Sequence, residues 1–162
     1  MHACQRWEPP RWIRLWMLAA TRAGDGWLWY ALGILVALFG GPDRPRALAA
    51  SVTSAGCAIA LFHRVKRLVD RPRPCTLEPH AWSYVLPPDR FSFPSGHTMT
   101  AFLVTVPLML FYPALLPGLL FCAVSIGVSR VVLGMHFLTD VLAGAALGTA
   151  FGYLSWTVFL RL

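Results

Sequence analysis

The sequence predicts an all-α protein: a polytopic transmembrane helix bundle of about five spans, with six as the upper count, plus an interfacial helix at the N-terminus. Three observations predict it. Of 162 residues, 57% are hydrophobic and 13% charged, whereas a water-soluble domain carries about a quarter charged residues. The apolar residues fall into separate runs bounded by Pro, Gly and aromatic residues. One run, Thr98 to Ser129, holds no charged residue, and as a helix it would be roughly 48 Å long, too long for one crossing.

The elements follow in chain order. Residues 11–22, RWIRLWMLAATR, place apolar side chains at helical spacing between arginines, which suits a helix lying in the interface. Residues 1–24 therefore read as an interfacial N-terminal segment, ended by Gly24-Asp25-Gly26, with no cleavable signal peptide expected. The first span is about 27–41, opened by the aromatic belt of Trp27, Trp29 and Tyr30. GPDRPR is a tight polar turn. The second span, about 47–62, is rich in Ala, Ser, Thr and Gly, as expected of a closely packed helix. A polar, Pro-rich loop follows from about Arg67 to Phe93, inside a region, 63–97, that carries several functional candidates. Pro113 and Pro117 divide the long uncharged run into spans at about 98–112 and 114–133, and the last span is about 138–160. The whole chain, 1–162, reads as a single membrane-embedded domain.

The net charge of +7 would suit nucleic acid in a soluble protein. Here the basic residues cluster in the first 22 positions and from Arg64 to Arg90, beside apolar runs. Membrane lipids and an anionic substrate are therefore the expected partners, and nucleic acid is not. Cys4, Cys57, Cys75 and Cys122 lack metal-ligand spacing. Cys57 and Cys122 read as packing residues, and a Cys4–Cys75 bridge stays open.

Five spans put four helix ends on one side: the end of the second, the start of the third, the end of the fourth and the start of the fifth. Three polar clusters sit there: KRLVDRPRP with Lys66 and Arg73, PSGH with Ser95, Gly96 and His97, and SRVVLGMHFLTD with Ser129, Arg130, His136 and Asp140. Each has a plain alternative, as flanking charge, helix N-cap or i,i+4 pair. Together they fit a phosphate group. Lys66, Arg73 and Arg130 supply cationic donors, and the helix start at Ser95-Gly96 supplies free backbone N–H groups. A neutral histidine is nucleophilic when a carboxylate fixes its tautomer, and Asp140 lies one helical turn from His136.

In order and spacing, Lys-x6-Arg-Pro, Pro-Ser-Gly-His and Ser-Arg-x5-His-x3-Asp resemble the tripartite signature of the type 2 phosphatidic acid phosphatases, or lipid phosphate phosphatases, without a substitution from Lys66 to Asp140. The resemblance implies a lipid phosphatase that needs no metal or cofactor. By it, His136 attacks phosphorus to form a phosphohistidine, Asp140 orients it, and His97 protonates the leaving group and then helps water attack. Lys66, Arg73, Ser95, Gly96 and Arg130 would bind the phosphoryl oxygens. Polyprenyl diphosphate, phosphatidate, phosphatidylglycerol phosphate and lipid A phosphate are all compatible substrates. Two rivals stay open: a phosphotransferase passing the group to another acceptor, and a non-catalytic membrane protein binding headgroups. The resemblance also implies a site on the extracytoplasmic face of a bacterial cytoplasmic membrane, while the arginine distribution points to the opposite face. Oligomeric state is not legible. His63, Arg64 and Arg71 are set aside as helix-end or out-of-register residues, and Glu78, Trp82, Tyr84 and Arg90 as possible shapers of the substrate approach.

Overall fold

The computed structural model describes residues 10–77 and 89–162, and Cys4, Glu78, Trp82 and Tyr84 lie outside them. Among the described residues there are seven α-helices and no strand: α1 (Arg11–Ala23), α2 (Trp27–Phe39), α3 (Arg44–Val69), α4 (Pro74–Leu77), α5 (Gly96–Phe111), α6 (Leu116–Val132) and α7 (Leu138–Leu160). Three-residue 3₁₀ turns, Gly41–Asp43 and Pro113–Leu115, lead into α3 and α6. Proline sits in the first turn of both following helices, where its missing N–H costs nothing. GPDRPR therefore starts a helix as much as it ends one. Three stretches are long and apolar enough to cross a membrane, Gly41–Val69, Pro113–Val132 and Leu138–Leu160; Trp27–Phe39 and Gly96–Phe111 are shorter apolar helices.

Two sequence expectations change. The helix expected to end near Phe62 continues to Val69, so the first part of the 63–97 region is helical and the loop begins at Asp70. The reason is electrostatic and local: Lys66 and Arg67 favour the carbonyl end of a helix, and Asp70, at φ 45°, takes the left-handed turn that stops it. Cys57, expected in packing, is exposed on α3, and Cys122 is half-buried.

The bundle is built around α5, which packs on α3, α6 and above all α7, while α1 lies on α6 and α2 on α3. The α5–α7 contact is made by glycine. Gly144, Gly148 and Gly152 lie at four-residue spacing on α7. A Cβ would fall 2.6 Å from the Ser95 carbonyl oxygen at Gly144, 2.4 Å from that of Met99 at Gly148, and 3.0 Å from Pro107 at Gly152. The backbones therefore touch as in small-xxx-small helix pairs. Apolar clusters fill the rest, including Trp29, Ala101, Ala123 and Ile126 between α2, α5 and α6, and Ala58, Met99 and Leu103 between α3 and α5. Large apolar side chains such as Ile34, Leu38, Val52, Leu142, Leu154 and Val158 face outward, a surface suited to lipid.

Candidate active site

The polar groups gather at one end of this bundle. The glycine contact brings the start of α5 against the start of α7, where the Ser95 N–H donates to the Asp140 carbonyl oxygen at 3.0 Å. After α6, Gly134 takes φ 68°, a value that favours glycine, and the Met135 and His136 N–H groups return to the Arg130 carbonyl, each at 3.0 Å. That turn folds His136 back over Arg130. The Cys75 N–H donates to the Gly134 carbonyl, and the Ser92 N–H to the Arg71 carbonyl beside the Pro72–Phe91 bridge, which ties residues 71–75 to this turn and to the segment leading into α5.

A cleft of about 480 Å³ results, lined by Lys66, Arg73, Gly96, His97, Arg130 and His136, together with His63 and Asp89. Six of the eight residues expected from the sequence thus line one space. The other two stand behind the wall. Asp140 is fully buried, with Oδ2 accepting the Phe137 N–H at 2.8 Å and facing His136 Nδ1 at 3.6 Å. Ser95 occupies the N-cap position of α5 without capping it; its hydroxyl is buried and pairs with Thr98 Oγ1 at 3.0 Å. Gly96 carries no side chain for a steric reason: a Cβ there would meet the Phe62 ring at 2.8 Å, and the same ring lies 4.6 Å beneath the Lys66 ammonium.

The nucleophile candidate has a readable tautomer. Arg73 Nη1 lies 3.2 Å from His136 Nε2, and a guanidinium only donates, so Nε2 carries the lone pair and the ring proton sits on Nδ1, toward Asp140. Burial, ahead of the attraction of Asp140 and with the nearby Arg73 and Arg130 charges, pushes the His136 pKa down to about 4, so the ring is neutral at neutral pH. The cations are prepared as well. Lys66 Nζ pairs with Asp89 Oδ2; Arg73 reaches Asp89 Oδ1 at 3.0 Å and the Asp89 carbonyl at 2.7 Å. Burial raises the Asp89 carboxyl, but hydrogen bonds from Lys66 and Arg73 outweigh it and hold it below its ordinary value. Arg130 donates from Nη1 to Thr21 Oγ1, while its buried Nε–H has no partner among the described residues, a donor suited to an anion.

Several partners were not legible in the motifs. Arg71, set aside as out of register, donates from Nη1 to Asp140 Oδ1 at 2.9 Å and to Thr139 Oγ1 at 2.8 Å, and its guanidinium lies over Phe137 at 4.0 Å. It fixes the carboxylate that faces His136. Asp89 and Thr21 had no sequence signal, and Asp25, read only as a helix breaker, accepts at Oδ1 from His97 Nε2 at 2.8 Å. The acidic residues were in plain view; what hid them was sequence distance. Among the described residues no group of three or more His, Cys, Asp or Glu could hold a metal ion. Three cations, a helix start and a neutral imidazole around one space suit attack on a tetrahedral phosphoryl group with its charge spread over three oxygens.

Comparison with known proteins finds phosphatases among those the chain resembles. The family model described as the PAP2 superfamily matches residues 44–162. A lipid A 1-phosphatase from Rhizobium johnstonii is 32% identical over 105 residues, covering 62% of this chain but only 43% of that protein. The crystal structure of LpxE from Aquifex aeolicus superposes with a TM-score of 0.80 at 25% identity, over 96% of this chain and 92% of that one. That of a transmembrane PAP2-type phosphatidylglycerolphosphate phosphatase from Bacillus subtilis gives 0.73 at 26%, over 99% and 83%.

Proposed function

The chain belongs to the PAP2 superfamily, and from that premise we propose that it is an integral membrane lipid phosphatase of five spans, working through a phosphohistidine. The observation that carries the reading is His136: neutral, backed by Asp140, with its Nε2 lone pair beside the cations that line the cleft. Nε2 attacks phosphorus while the bond from phosphorus to the lipid oxygen breaks, and His97 gives that oxygen a proton. Water then attacks the phosphohistidine, its proton passing to His97, which returns His136 and releases phosphate. Lys66, Arg73, Gly96 and Arg130 hold the phosphoryl oxygens. Ser95 supports the helix start from behind, and its hydroxyl bond to Thr98 makes its contribution one of placement.

A lipid substrate is supported by a second space. An apolar groove of about 500 Å³ between α2, α3 and α5, lined by Trp29, Tyr30, Ile34, Leu48, Val52 and Leu108, shares Gly26 and Thr100 with the polar cleft. A headgroup in the cleft can thus lay one chain in the groove. The groove carries few polar groups, so the class of substrate is a lipid bearing a terminal phosphate or diphosphate. The test is phosphate release by purified protein from polyprenyl diphosphate, phosphatidate, phosphatidylglycerol phosphate and lipid A phosphate, with and without EDTA. Release from at least one lipid, unaffected by EDTA, is expected. Release only with an added lipid or sugar acceptor that itself becomes phosphorylated would instead establish a phosphotransferase.

We place the site on the extracytoplasmic face of a bacterial cytoplasmic membrane, by analogy of signature and against the arginine count. A cysteine introduced at position 90, in a chain whose own cysteines are replaced by serine, is expected to react with an impermeant maleimide on intact cells; labelling only after lysis would reverse the orientation.

A further inference from the structure

We propose that Asp25, on the turn between α1 and α2, is a positioning residue for His97, so that the N-terminal helix pair completes the proton-handling half of the site. The proposal rests on the phosphatase reading above, and deepens it. Asp25 Oδ1 and His97 Nε2 are 2.8 Å apart across 72 residues of chain. The turn also meets the ring by shape: a Cβ on Gly24 would stand 3.0 Å from His97 Cδ2 and 3.1 Å from Ile126. The turn itself is fixed, with Gly24 N–H on the Ala20 carbonyl, Asp25 N–H on that of Arg22, and Gly26 at φ 125°. A second tie, Thr21 to Arg130, holds α1 to the phosphate-binding side. Thr21, Gly24, Asp25 and Gly26 all precede the 44–162 region that matches the family model, whereas their partners His97, Ile126 and Arg130 lie within it.

The geometry assigns the two ring nitrogens. Nε2 is taken by Asp25 and Cδ2 faces Gly24, which leaves Nδ1 for the substrate. In the charged ring, Nε2–H stays on the carboxylate and the Nδ1 proton goes to the lipid oxygen as its bond to phosphorus breaks and the bond from His136 Nε2 forms. The electron pair of the broken bond leaves with that oxygen, and the transferred proton neutralises it. In the second half, a proton from water returns to Nδ1 while the water oxygen joins phosphorus and His136 recovers its pair. Asp25 gains no proton in either half. Its task is to fix the ring and to offset the positive charge of Arg73 and Arg130, which both act on His97.

A leaving group that departs as a stable anion does not need this proton, and that separates positioning from mere structure. Asp25→Asn, Asp25→Glu and wild type are compared by kcat/KM on the fastest panel lipid and on an amphiphilic aryl phosphate of similar chain length. This parameter reports steps only through loss of the leaving group. For Asp25→Asn a loss of about 10–100-fold is expected on the lipid, below the 10²–10⁴-fold typical of a whole general acid, and little on the aryl phosphate. Asp25→Glu should recover part of the lipid rate, and it carries the comparison if the asparagine variant does not fold. Equal losses on both substrates, or no loss on the lipid, would overturn the proposal and leave the phosphatase reading standing. Undiminished lipid turnover by His136→Ala would instead overturn that reading.

Discussion

Changing His136 to alanine is expected to remove phosphate release from every panel lipid, a loss on the order of 10⁴-fold or more, because the proposed mechanism then loses the group that bonds to phosphorus. The structure argues for so large an effect. Among the described residues no second imidazole stands in its place: His97 is held by Asp25, and His63 sits a turn before Lys66 on α3. The ring is buried with its lone pair already selected by Arg73, so the position is built for one nucleophile. Asp140→Asn should reproduce much of the loss, since an amide facing Nδ1 no longer favours the tautomer that frees Nε2. The double variant should be little worse than His136→Ala alone, as expected of residues acting as a unit. Rapid quench into alkaline detergent, with a lipid labelled at its phosphorus, offers a direct check. Label on the wild-type chain, stable to base and labile to acid, marks a phosphohistidine; the same label on the His136→Ala chain would refute the assignment.

The second large effect concerns assembly. Gly148→Val is expected to abolish the folded bundle, costing more than about 3 kcal/mol, because a side chain there would stand in the backbone of α5. The Cβ alone would lie 2.4 Å from the Met99 carbonyl oxygen and 3.0 Å from the Leu103 nitrogen, and neither is a flexible side-chain end that can swing aside. Gly56→Ala on α3 serves as the comparison, because a Cβ there meets nothing within 4 Å and should be neutral or mildly stabilising. Size-exclusion profile and thermal unfolding in detergent measure both. A Gly148→Val protein that stays monodisperse with an unchanged transition would show that α5 and α7 are not packed backbone to backbone.

Much of this architecture could be read from the sequence, for a physical reason. A membrane helix must satisfy its own backbone and face apolar surroundings, so Trp27–Phe39, Gly96–Phe111, Leu116–Val132 and Leu138–Leu160 lie close to the apolar runs. The motif residues were legible because chemistry restricts them: Lys66, Arg73, His97, Arg130 and His136 are polar groups at the ends of otherwise apolar segments. The spacing of Gly144, Gly148 and Gly152 also carried a signal that the motif reading passed over. The partners of these groups were harder. Asp25 and Asp89 each follow a common turn pattern, and nothing in their neighbours shows that a fold places one on His97 and the other on Lys66 and Arg73. The end of α3 was misplaced because hydropathy falls at His63, whereas the helix needs only a well-placed charge and a left-handed residue to run on to Val69.

The Asp89 bridge carries a further meaning for turnover. Lys66 and Arg73 do not wait bare, since a tethered carboxylate already holds them. On the proposed function, an arriving phosphoryl group displaces one anion with another, and its affinity is the difference between two pairings in place of the whole of one. Once the lipid has left, the same tethered anion stands ready to take back its cations and push the product outward. Such a site would be a relay with its own competitor attached, set to let inorganic phosphate go.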